Sequence, residues 1–134
     1  MLSIYKASAG SGKTHTLTRE YLVMLFRDYR KCNEHFMPHS RILAVTFTKK
    51  ATAEMKERIL KALYTLSITP EKSPFYEDLI AHFHLDTPTL QHQARQLLIA
   101  ILKDYNHFSV STIDGFFQQV IRTFALDLGL STTY

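Results

Sequence analysis

Ala7-Ser8-Ala9-Gly10-Ser11-Gly12-Lys13-Thr14 is the stretch that decides the fold. Its spacing is that of a Walker A phosphate-binding loop, with Ala at the first position where the strict pattern carries Gly. Gly10 and Gly12 let the backbone close around a phosphate without Cβ clashes, so that consecutive N–H groups point inward at the positive end of the following helix. A methyl at Ala7 holds φ negative at the loop entrance without blocking that contact. All eight residues are therefore candidate nucleotide-binding positions. Lys13 is the candidate catalytic residue, because its ammonium reaches β- and γ-phosphates, and the Thr14 hydroxyl is the candidate Mg2+ ligand. ATP and Mg2+ are the expected cofactors. A Gly-containing turn that merely joins strand to helix does not require this spacing.

The flanks agree with the loop. Leu2 to Ala7 is a short apolar run, as in a buried parallel strand. After Lys13, Leu17, Tyr21, Leu22, Leu25 and Phe26 recur at helical intervals and predict a helix to about Tyr29. A loop, Arg30 to Ser40, contains Pro38, and Ile42 to Phe47 reads as a second strand. In the helix that follows, Met55, Ile59, Ala62, Leu63 and Leu66 form the inner face, while Glu54 with Arg58 and Glu57 with Lys61 are spaced for i,i+4 pairing. Pro74 opens a short helix over Phe75 to Phe83, and Thr87 caps a longer one that starts at Pro88 and buries Leu90, Leu97, Leu98, Ile101 and Leu102. Phe108 to Ile113 alternates as a third strand, and Asp114 caps a last helix buried through Phe117, Val120, Ile121 and Phe124. The order β-α-β-α-α-α-β-α predicts an α/β layer, a P-loop NTPase with a parallel sheet flanked by helices.

Composition sets the bounds. The 134 residues suit one domain with a core, 46% are apolar, and Gly and Pro number four each, which argues against disorder. The longest apolar run, Leu97 to Leu102, falls far short of the roughly 18 residues of a membrane span, and MLSIYK lacks signal-peptide anatomy. A cytoplasmic protein with no membrane partner is expected, and the single Cys32 fits a reducing compartment. The net charge of +4 and pI near 9.2 favour an anionic partner without forming a polybasic block. Cys32, His35 and His39 have zinc-like spacing but leave a structural site one ligand short, and His82 and His84 point to different faces of a helix. Ile99 to Asp104 imitates an acidic Walker B strand, yet Lys103 interrupts it and its apolar spacing is helical.

A second chemistry-bearing segment, Leu43 to Met55, places Phe47, Thr48, Lys49 and Lys50 where a strand ends and a helix begins. Open parallel sheets bind ligands at such carboxyl ends. Phe47 could stack on an unpaired base, and Thr48 with the helix N-terminus could hold a phosphate. On composition, Phe47 as core and the lysines as a solvated face is the other reading.

ASAGSGKTHTL, LAVTFTKKATAEMKERI and STIDGFFQQVIR resemble, in this order, motifs I and Ia and the following TFH-type motif of UvrD/Rep-like superfamily 1 DNA helicases, with the nearest likeness to the RecB and AddA branch. The three segments span about a third of the chain. The resemblance implies that residues 1–134 are the N-terminal part of a RecA-like first motor domain, domain 1A, ending before Walker B. It also implies ATP-driven tracking along single-stranded DNA in repair or recombination. Gly12, Lys13 and Thr14 would then bind ATP and Mg2+, while Phe47, Thr48, Lys49 and the turn from Thr112 to Gly115 would face DNA. The sequence departs from the family at Lys49, where Asn is usual, and at Asp114, where His is usual. No Gln precedes the loop to read adenine. Partners implied are single-stranded DNA and the remainder of the helicase chain, with a nuclease domain or partner subunit left open. An uncovered sheet edge or helix face should promote self-association. The alternatives are a small P-loop nucleotide or metabolite kinase and a passive single-strand-binding module without turnover.

Overall fold

The periodic stretch after the glycines folds as expected. In a computed structural model, which describes residues 11–29 and 37–129, helix α1 covers Ser11–Arg27 and buries Leu17, Tyr21, Leu22, Leu25 and Phe26. The strand expected at Leu2 to Ala7 lies outside the described residues, as do loop positions Ala7, Ser8, Ala9 and Gly10 and the candidate ligands Cys32 and His35. A 3-10 turn at Pro38–Arg41 leads into strand β1, Ala44–Thr46, shorter than the apolar run that suggested it.

Helix α2, Lys49–Ile68, turns Met55, Ile59, Ala62, Leu63 and Leu66 inward, the face that the spacing predicts. The pairs Glu54 with Arg58 and Glu57 with Lys61 are not among the ion pairs of the described residues, despite their spacing. All four residues are exposed, where such a pair gains little against side-chain entropy.

After a 3-10 turn at Pro70–Lys72, helix α3 covers Tyr76–Phe83, so Pro74 stands before the helix rather than in its first turn. His84 ends α3 in the left-handed region, at φ 53°. Helix α4 is Thr87–Lys103. Its cap is Asp86 rather than Thr87: the Asp86 carboxylate accepts from the Thr89 amide at 2.9 Å, which puts Thr87 and Pro88 inside the first turn. Hydrogen bonds from the Thr89 hydroxyl and amide hold the Asp86 carboxyl below its ordinary range. Leu90, Leu97 and Ile101 are buried as expected, Leu98 is half-buried, and Leu102 projects into solvent.

Strand β2, Val110–Thr112, pairs with β1 in parallel, Ala44 opposite Val110 and Thr46 opposite Thr112. Helix α5, Ile113–Asp127, follows without a loop. Two expectations fail here. Asp114 is not the cap, because Thr112 accepts from the Gly115 amide at 3.0 Å and Asp114 falls in the first turn. Phe117, Val120, Ile121 and Phe124 are exposed, and Ala125 is the one buried residue of this helix. The stripe is amphipathic as the sequence indicated, but no described element covers it. The core lies instead between α1, α2 and α4. The described residues thus form a helix-rich α/β layer with a two-stranded parallel sheet.

Candidate nucleotide site and nucleic-acid interface

Parallel pairing puts the carboxyl ends of β1 and β2 at the same edge, so the helices that follow both begin there. Beneath that edge, Thr46 is buried, and its Oγ1 lies 2.6 Å from Thr52 Oγ1 and 3.2 Å from the Thr48 carbonyl. The strand end and the first turn of α2 are thereby tied together. Phe47 leaves the strand at 52% exposure, which removes the core reading of this side chain. Thr48 Oγ1 accepts from the Ala51 amide at 3.0 Å, and Thr112 Oγ1 plays the same part at α5. Both candidate threonines therefore act first as helix caps, each keeping a hydroxyl hydrogen to donate. Lys49 is exposed at the first position of α2. An added Cβ at Gly115 would stand 3.1 Å from Thr112 Oγ1, so glycine keeps this cap tight. Phe47, Thr48, Lys49, Thr112 and Gly115 thus share one edge, with two positive helix ends side by side.

Of the nucleotide-binding candidates, Ser11, Gly12, Lys13 and Thr14 form the first turn of α1. No acidic residue stands in that turn. Thr14 is buried, and its carbonyl accepts from Thr18 Oγ1 at 2.8 Å, which locks the start of the helix. A helix N-terminus with no carboxylate in its first turn fits a phosphate, and a threonine there fits a hard cation beside it.

The profile of the UvrD/REP helicase N-terminal domain matches residues 3–133. The chain belongs to the UvrD/REP helicase family. It is 31% identical over 132 residues to RecBCD enzyme subunit RecB of Escherichia coli, covering 95% of this chain and 11% of that protein. The Haemophilus influenzae RecB subunit is 30% identical over 136 residues, or 96% of this chain and 11% of the relative. An ATP-dependent helicase/nuclease subunit of Bacillus pumilus is 34% identical over 124 residues, or 92% and 8% respectively. The chain therefore spans about a tenth of the length of these relatives. No solved structure matches it.

Other residues of this helicase-family chain take clear places. Asp104, the residue of the Walker B imitation, follows α4 as its cap rather than ending a strand. It is held by His107 Nδ1 at 2.6 Å and by the buried His39, whose Nε2 lies 3.2 Å from the carboxylate and 3.0 Å from the Asp104 carbonyl. The hydrogen bond from His107 is the main reason that the Asp104 carboxyl sits below its ordinary range. His82 and His84 are exposed. Among the described residues, no group of three or more His, Cys, Asp or Glu is placed to hold a metal ion, and no helix is long and apolar enough to cross a membrane. The sequence reading missed a cavity between α1 and α2 into which Arg58 and Lys61 face with Lys72. Spacing pointed instead to glutamate partners for two of these cations, which hid the cluster.

Proposed function

We propose that this chain is the ATP-binding part of an ATP-dependent DNA helicase that translocates on single-stranded DNA in repair or recombination. The observation that carries the reading is the placement of Phe47, two capped helix N-termini and Lys49 at one sheet edge in a chain whose first helix opens on Gly12-Lys13-Thr14. Backbone amides from Ala7 to Thr14 bind the triphosphate in a RecA-like P-loop fold. Lys13 would neutralise charge that develops on the β- and γ-phosphates, and the Thr14 hydroxyl would hold Mg2+, which would supply further charge neutralisation there. Phe47 stacks on a base while Thr48, Lys49, Thr112 and Gly115 follow the backbone of the strand.

Hydrolysis also needs an acidic Walker B pair. Asp104 is committed to His39 and His107, so this stretch binds ATP better than it turns it over. The same carboxylate placement favours, as a second reading, a passive single-strand-binding module without turnover. The uncovered face of α5 supports contacts with further helicase sequence, with a nuclease domain or partner subunit, or with a second copy. A cytoplasmic location goes with this reading.

The test is ATP hydrolysis with and without single-stranded DNA, by this chain and by a longer parent reading frame, with Lys13→Ala as control. DNA-stimulated turnover by the parent, abolished in Lys13→Ala, is expected. Phosphate transfer to a small acceptor, or turnover indifferent to DNA, would reject it.

A further inference from the structure

The cavity between α1 and α2 has a volume of about 330 Å³. Arg58 and Lys61 enter it from one face of α2, and Lys72 closes it from the 3-10 turn beyond that helix. None of its lining residues is acidic. The nearest acids along the chain, Glu54, Glu57 and Glu71, stay outside the lining, and Asp78 is taken by Arg19 at 3.0 Å. Arg58, Lys61 and Lys72 make no ion pair among the described residues. All three are exposed side chains that line the cavity with no acidic residue beside them, an arrangement that favours an anion there.

The walls fit the same ligand. Ser73 is buried, and its Oγ accepts from the Phe75 amide at 3.2 Å, leaving its hydroxyl hydrogen to donate. His15 stacks on Phe75 with ring centroids 4.7 Å apart, so one side of the cavity is an aromatic step with His15 exposed above it. The volume falls at the low end of small-ligand sites, room for about one sugar-phosphate unit.

We propose that Arg58, Lys61 and Lys72, with the Ser73 hydroxyl, form a second phosphate-ester site, separate from the Ala7 to Thr14 loop. Its ligand is a single nucleotide unit, supplied either by the backbone of a single strand or by a free nucleotide. The site shares no lining residue with the loop and does not rest on the ATP reading.

The experiment uses the whole chain carrying Lys13→Ala, which disables the loop. Binding of a short fluorescein-labelled oligothymidylate is followed by anisotropy, and binding of AMP by calorimetry, each across a salt series. Arg58→Gln/Lys61→Gln/Lys72→Gln is compared with Arg95→Gln/Lys103→Gln/Arg122→Gln, which removes the same charge from exposed positions outside the cavity. The cavity triple should weaken at least one probe about tenfold and, for the strand, reduce the slope of log affinity against log salt by about 0.7, the value for one phosphate contact in a single strand. The remote triple should stay within about twofold. Loss for the strand alone assigns a backbone phosphodiester, and loss for AMP alone assigns a free nucleotide. Equal weakening by both triples, or none by the cavity triple, overturns the proposal. ATP calorimetry on the chain with and without Lys13→Ala separates the two readings: if that substitution leaves ATP binding unchanged while the cavity triple still acts, the ATP reading fails and this site stands.

Discussion

Phe47 shows what a single side chain reveals in this molecule. An aromatic ring at the end of a buried strand has every opportunity to turn inward, yet it stands about half exposed beside a helix N-terminus. Exposure there stabilises nothing in the fold, so Phe47→Ala should leave the thermal midpoint almost unmoved. Stacking on bases contributes roughly 1–3 kcal/mol per base, and the same substitution should weaken oligothymidylate binding by that amount in an anisotropy titration. Unchanged binding would remove Phe47 from the interface. Thr48 behaves in the opposite way, because its oxygen satisfies an amide of α2. Thr48→Ala should cost about 1 kcal/mol in urea unfolding, whatever its effect on DNA. The pair of substitutions separates a residue kept for a ligand from one kept for a helix.

At the scale of elements, α1 and α2 were legible because their apolar positions repeat at the helical period and both inner faces meet a neighbour. The ends of elements were harder to read. Asp86 and Thr112 outcompeted Thr87 and Asp114 as caps because a cap is chosen by which oxygen reaches the amide three residues on, and several adjacent residues have the right chemistry. Of the candidate site, the sheet edge could be foreseen from strand-to-helix junctions. The basic cavity could not, since Lys72 joins Arg58 and Lys61 only through the fold of the intervening turn. Helix α5 marks the limit of periodicity: its stripe of Phe117, Val120, Ile121 and Phe124 repeats like a buried face, yet no described element packs on it. Phe117→Ser/Phe124→Ser should shift sedimentation toward monomer with little change in unfolding midpoint, because neither ring is buried. Retained oligomers would move self-association to another surface.

For the whole molecule, the link from the 3-10 turn at Pro38–Arg41 to the turn before β2 runs through Asp104, which gathers His39 and His107. Its carboxyl sits below the ordinary 3.8, so the folded chain takes up that proton later than the unfolded one. The contribution is therefore complete above about pH 4 and disappears as pH falls through the folded value. Asp104→Asn should flatten this acid limb of the stability curve measured by urea unfolding at stepped pH. An unaltered limb would mean that other carboxylates govern acid unfolding.

Helix α2 is a single unbroken rod from Lys49 to Ile68. At about 1.5 Å per residue, Arg58 rides roughly 14 Å from Lys49 on the same stiff body, with the wall of the cavity at one station and the sheet edge at another. One continuous helix therefore spaces the two regions by a fixed distance, with no loop between them.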